Sequence, residues 1–223
     1  MTHRICFNNH PIELFFSKIL PQLPSEAELS FSAYTYKPQS IIELRETKKF
    51  LVREIDITLI ENLFASLDKN QEFAINSAIK FPDGNIKHIP MIDFLTGSIK
   101  TVRSIMPLII QYPIIENMYI YDSGSSYHGY STYLIDEKSW VKYMGLLLLL
   151  NLPGKEPIID YRWIGHRLNA GYGTLRWTSN SKKHLHEPRY LFGLRKNEAT
   201  RNNSIIDEID LKAIPQEDLF LSL

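Results

Sequence analysis

A single cysteine, Cys6, stands in 223 residues. A lone thiol excludes an intrachain disulfide framework and a cysteine-rich zinc site. It points to a reducing, cytoplasmic setting, where thiols stay reduced. Charge of one sign is lacking as well, because 25 Lys and Arg face 25 Asp and Glu. Attraction of the whole molecule to nucleic acid is thereby excluded, and binding of such a polymer has to rest on a local patch. Long apolar runs are missing too. The longest, Met144 to Leu150 followed by Leu152, falls well short of the roughly 20 residues of a membrane span, so it reads as a buried helix with no membrane partner. No apolar stretch of signal-peptide length opens the chain, and neither an internal repeat nor a low-complexity linker interrupts it. What is present is ordinary in amount: 44% hydrophobic and 22% charged residues, the balance of a folded soluble protein long enough to bury one sizeable core.

Periodicity divides the chain into elements. Residues 11–20 carry apolar residues at helical spacing, and prolines at 21 and 24 stop the pattern. Alternation predicts strands over 27–36, 49–55, 71–81 and 86–95, with an amphipathic helix over 58–67. The turn after the third strand is signalled by Pro82, Asp83 and Gly84. Beyond residue 95 the pattern predicts a helix over 98–111, broken or kinked by Pro107. Strands at 118–122 and 130–135 follow, then an apolar helix over 137–150, a short buried strand at 158–160 and a strand at 172–178. The order is a split β-α-β arrangement with an antiparallel insertion. The expected class is α+β, an RRM-like antiparallel or mixed sheet layered on helices. Residues 1–85 form an N-terminal α/β part, 86–195 the motif-bearing core, and 196–223 a polar and charged tail that closes on an apolar patch.

Three stretches invite a chemical reading: "PMIDFL" around Asp93, "SGSSYHGY" around His128, and the segment from Asp160 to Ser181. Two apolar strands that each end on a carboxylate can hold a divalent cation by hard oxygen ligands. A Gly/Ser-rich loop offers N–H and hydroxyl donors to phosphate oxygens, His128 adds another donor, and Arg176 supplies a bidentate fork. Plainer readings stand beside these. Asp93 and Asp160 each precede a helix start and suit an N-cap. Ser123 to Ser126 suit a hairpin turn. Arg176 suits a surface ion pair, and Lys182, Lys183 and His184 suit a solvated turn or a basic wall for a phosphate or a strand. His184 and His186 form a His-x-His pair with no third histidine at metal spacing. Tyr127, Tyr130, Tyr133, Tyr161, Trp163 and Trp177 suit base stacking or, for at least half of them, core. "GSSYHG" lacks the G-x-S-x-G elbow of a serine hydrolase.

In order and strand context these motifs resemble the archaeo-eukaryotic primase superfamily, the primase-polymerases. "MIDFL" stands for the first motif with Asp93. "SGSSYH" stands for the Ser-x-His motif with Ser123, Ser126 and His128. "IID" stands for the third with Asp160, and "TLRWTSNS" for the downstream arginine strand. The resemblance covers roughly residues 86–190. It implies a nucleotidyltransferase that takes a nucleoside triphosphate with Mg²⁺ or Mn²⁺ and extends or primes DNA or RNA in replication, acting with partner proteins. Asp93 and Asp160 would hold metal, and Ser123, Ser126, His128, Arg176 and Lys182 the triphosphate. The chain departs from the pattern at Leu95, where the first motif usually carries a second aspartate, and at Ser126, where a second glycine is common. Two-metal transfer clamps both ions about 4 Å apart, so one carboxylate fewer leaves either a one-cation site or an inactive module that binds nucleic acid, nucleotide or a protein.

Overall fold

The computed structural model describes residues 7–195 apart from 38, 43, 113, 114 and 182. The tail read from residue 196 and Lys182 therefore lie outside the described residues. The fold is α+β, and its described strands form two antiparallel sheets.

The chain enters through a short helix, α1 (Pro11–Leu14), that continues as a π-helical turn over Phe15–Ile19. His10 caps it, its Nδ1 accepting from the Ile12 amide. The first sheet is built around β3 (Glu72–Lys80), whose burial along nearly its whole length marks it as the central strand. On one side β3 pairs with β1 (Glu28–Tyr34), and β1 pairs with the edge strand β2 (Glu46–Leu51). The other side carries β4 (Ile86–His88) and β8 (Ile135–Asp136), and β9 (Thr174–Arg176) also pairs with β3. Between β2 and β3 lies α2 (Ile57–Ala65), capped by the Asp56 carboxylate.

The second sheet runs in the order β10 (Arg189–Arg195), β6 (Asn117–Asp122), β7 (Tyr127–Ser131), β5 (Met91–Asp93). β5 and β6 are both antiparallel to β7. They therefore point the same way, with β7 between them and α3 (Ile99–Gln111) joining them. This is the split β-α-β unit that the order of elements predicts. α3 runs unbroken through Pro107. α4 (Glu137–Leu149) buries Trp140, Tyr143, Met144 and Leu147 at i, i+3, i+4 and i+7. Burial of each such side chain is worth about 1.5–3 kcal/mol. α4 packs on β4, β8 and α5 (Tyr161–Ala170).

Several boundaries differ from the sequence reading. The apolar stretch 86–95 is two strands in two sheets. The Ile89 amide still bonds the Ser77 carbonyl of the first sheet, whereas the Pro90 carbonyl accepts from Ser131 in the second. Proline has no N–H for a ladder, and the chain changes sheets there. The strand expected at 49–55 starts earlier, at Glu46, and gives way to a 3-10 turn over Val52–Glu54. The strand expected at 130–135 is β7 and the separate two-residue β8. The stretch 158–160 makes one isolated bridge, Phe94 to Ile159. The strand expected at 172–178 is confined to β9, and β10 is an addition that no alternation announced. Of the aromatic candidates for stacking, Tyr130, Trp163 and Trp177 are core, whereas Tyr133 and Tyr161 are exposed.

Candidate functional site

One end of the second sheet gathers the predicted residues. Asp93 ends β5, and the register of β5 with β7 sets it opposite His128. The Asp160 amide donates to the Asp93 carbonyl at 2.9 Å, and the Leu95 amide to the Ile158 carbonyl at 2.8 Å. Main-chain bonds therefore fix the backbones of the two aspartates against each other. Asp160 is also the N-cap of α5, its Oδ1 accepting from the amides of Arg162 and Trp163 at 2.9 Å each. The N-cap reading thus holds for Asp160, which also lines the pocket. It does not hold for Asp93, because α3 is capped by Ser98.

The loop of residues 122–127 is a built structure. The Asp122 carboxylate accepts from the Gly124 amide at 2.8 Å, and the Ser123 amide donates to the Ser126 carbonyl at 3.0 Å. The hydroxyls of Ser123 and Ser126 lie 3.2 Å apart. Gly124 has φ +91, and a Cβ there would meet the backbone of Leu185 and His186 at 3.0 Å. The loop is thus pressed against the segment carrying both histidines of the His-x-His pair. Those histidines part company: His184 Nδ1 lies 3.4 Å from Ser125 Oγ, and His186 Nε2 lies 3.6 Å from Asp122 Oδ2. They sit in bends, not on a strand.

Arg176, on β9, is buried and reaches across to this loop. Its guanidinium donates through Nη1 to the Thr178 carbonyl and through Nη2 to the Ser123 carbonyl. It is first a strut between the two sheets, and its charge lies behind the site.

Asp93, Ser123, Ser126, His128, Asp160 and Arg176 line one cavity of about 430 Å³. Its charges are unequal. The carboxyl groups of Asp93 and Asp160 share the lining with five cationic side chains, Lys37, Arg45, Arg162, Arg167 and Arg176. Burial, then the neighbouring Asp160 charge, push the Asp93 carboxyl up to about 8, against the pull of Arg176 and Arg45. Burial and then the Arg176 charge hold His128 well below the ordinary imidazole range. His128 is therefore neutral, and its Nε2 stands 3.7 Å from Asp93 Oδ1, longer than a hydrogen bond. Arg167 is drawn down to about 10 by burial and remains a cation at neutral pH. Leu95 is 46% exposed and also lines the cavity, so the position of the usual second aspartate faces the site with an apolar side chain. Met91, the alternate position before Asp93, is buried.

Sequence reasoning missed Arg45, Arg162, His166 and Arg167. Arg162 and His166 are four residues apart, with Arg167 beside His166, a signal that becomes legible once 161–170 is recognised as a helix. Arg45 carried no such signal. It comes from the connection between β1 and β2, and its guanidinium lies 3.7 Å over the Tyr34 ring.

The family described as archaeo-eukaryotic primase 1D-like matches residues 52–189, more than half of the chain, and spans every motif of this cavity. The chain belongs to this archaeo-eukaryotic primase-like family. No curated protein and no solved structure matches it. The match supports a primase-like, nucleotide-related function for the chain, and the matched range includes Asp93, His128 and Asp160. No helix among the described residues is long and apolar enough to cross a membrane.

Proposed function

We propose that this primase-like pocket binds a nucleoside triphosphate with one divalent cation, Mg²⁺ or Mn²⁺, and transfers a nucleotidyl group to the 3′-hydroxyl of DNA or RNA. The observation that carries the reading is the half-buried Asp93 carboxyl, which lines one cavity together with Asp160 and five cationic side chains. A carboxyl raised by burial and by a like charge is relieved when a cation replaces its proton. Among the described residues no group of three or more His, Cys, Asp or Glu side chains is arranged to hold an ion. The donor set suits a cation that takes two protein carboxylates and completes its shell with substrate phosphates and water, as Mg²⁺ does. When bound, the cation would neutralise charge on the reacting phosphates. The chain's own part is positioning and charge. Arg45, Arg162 and Arg167 face the anion, the 122–127 loop orients its donors, and Arg176 holds that loop.

Leu95 favours a second reading, a module that binds nucleotide or nucleic acid, alone or with partner proteins, without chemistry. Incorporation of labelled nucleotide on primed DNA and RNA templates with Mn²⁺ separates the two. Wild type is expected to incorporate, and Asp93→Asn with Asp160→Asn to be inactive. The asparagine at 160 keeps the helix cap, so loss of activity reports the charge and not the fold. A wild type inactive on every template, yet stabilised against heat by nucleotide, would sink the transfer reading and leave the binding module.

A further inference from the structure

The connection between β1 and β2 is fastened to α5 at the Ser40 carbonyl. The Ser40 carbonyl accepts from Arg162 Nη2 at 3.0 Å and from His166 Nε2 at 3.1 Å. A carbonyl oxygen only accepts, so the imidazole presents its proton at Nε2. The two donors are one helical turn apart on the same face of α5, and both line the cavity. His166 also lines an adjoining cleft of about 710 Å³ beneath the same connection. The connection itself carries Ile41, Ile42 and Leu44, which are 87%, 72% and 78% exposed. Little apolar burial holds these three side chains down; polar contacts hold the connection, the Ser40 clasp on α5 and the Lys183 Nζ bond to the Tyr36 carbonyl at 2.9 Å among them.

Arg162 and His166 differ in this from Arg176. Arg176 is buried, and redirecting its nitrogens would release the Ser123 loop and the turn after β9. Arg162 is exposed and His166 half-buried, and redirecting them frees only one backbone carbonyl, which water can satisfy. A phosphate oxygen is a charged acceptor, and a hydrogen bond to it is roughly twice as strong as one to a neutral carbonyl.

We infer that Arg162 and His166 receive the terminal phosphate of the bound triphosphate by exchanging the Ser40 carbonyl for a phosphate oxygen, so that ligand binding unfastens the connection from α5. The inference rests on the nucleotide reading above and assigns the far end of the triphosphate to α5, away from the serine loop. The exposed isoleucines and Leu44 then move with the ligand state.

Two measurements test it on the full chain. Calorimetric titration uses inorganic tripolyphosphate, a nucleoside monophosphate and a nucleoside triphosphate, each with Mn²⁺. Hydrogen exchange follows the peptide spanning 36–44 with and without triphosphate. Arg162→Ala is expected to weaken triphosphate and tripolyphosphate binding by roughly ten- to a hundredfold and monophosphate binding by less than about threefold. His166→Ala acts in the same direction. In the wild type, triphosphate accelerates exchange over 36–44. In Arg162→Ala that exchange is already fast without ligand. Unchanged affinity and exchange in both variants, beside a wild type that binds, would overturn this inference alone. A wild type that binds none of the three probes overturns the nucleotide reading and this inference together. Arg162 is exposed and its substitution leaves the core intact, which unchanged melting curves verify.

Discussion

At the scale of single residues, Asp93 is the least ordinary group in the molecule. Its folded value of about 8 means that the proton competes with any cation below that pH. Apparent affinity for Mn²⁺ in the presence of nucleotide is therefore expected to rise with pH and level off near 8, by up to about tenfold per pH unit below it. Calorimetry across pH 6 to 9 checks this, and a flat profile would remove Asp93 from the cation site. Stability has the opposite sign. A carboxyl whose folded value is raised binds its proton more tightly folded than unfolded, so its contribution is present at low pH and is lost as pH rises from about 4 to about 8. Asp93→Asn removes that loss. The variant should be at least as heat-stable as wild type at pH 8, gaining about 2–4 °C for each kcal/mol of burial cost removed, while losing cation-dependent nucleotide binding.

Elements decide whether these residues meet. The 122–127 loop reads as a hairpin turn in composition, and it is one. It packs on a neighbour far along the chain, the 184–186 segment, which no local pattern reveals. Gly124 is where the two press together. Gly124→Ala puts a Cβ against backbone atoms at 3.0 Å and forces an alanine to φ +91. The expected cost is about 1–3 kcal/mol, read as a lowered melting temperature, with nucleotide affinity falling beyond what stability explains because the loop carries the serines and leads into His128. A variant as stable and as tight as wild type would mean that the loop and the histidine segment are not coupled. Legibility follows the same logic. α2, α3, α4, β1, β3 and β6 were readable because their periodic pattern runs their whole length. The division of 86–95 was not, because apolar residues continue across Ile89 and Pro90 while the hydrogen-bond partners change. The apolar 158–160 stretch has the composition of a strand, but it makes a single bridge and Asp160 ends it by capping α5. β10 hid behind a run of histidines and lysines. The aspartates and the histidine were found through motif order. The basic wall was not, because Arg45 and the α5 cations reach the cavity from elements that share no local signal with it.

For the molecule as a whole, two buried histidines outside the cavity lining add to the acid response of His128 and His184, which are lowered too. His10 joins the entry helix to the turn after β9, with Nδ1 accepting from Ile12 and Nε2 donating to the Trp177 carbonyl at 2.7 Å. His88 lies between Ser77 and Trp140, its ring stacked on the indole at 4.5 Å. Burial lowers both to about 4. A histidine depressed in the folded state gives stability that is complete above its unfolded value near 6.5 and is lost as pH falls toward 4. Each contributes up to about 3 kcal/mol across that window. The opposing contribution of Asp93 grows across the whole of this range, as pH falls from about 8 to about 4, and offsets part of the loss. Thermal denaturation from pH 7 to 4 should show a falling melting temperature. His10→Asn keeps a capping acceptor without the titration and should flatten the slope. An unchanged slope would place the acid sensitivity elsewhere.

The bonds from Asp160 to the Asp93 carbonyl and from Leu95 to the Ile158 carbonyl are made by main chain alone. Whatever side chain stands at position 95 inherits the same place over the cavity. In evolutionary terms, the step from the proposed one-cation site to a two-cation site is a change of one codon at a position whose backbone is already held in place. Chemistry can be lost from such a pocket, or returned to it, while the protein that carries it keeps its shape.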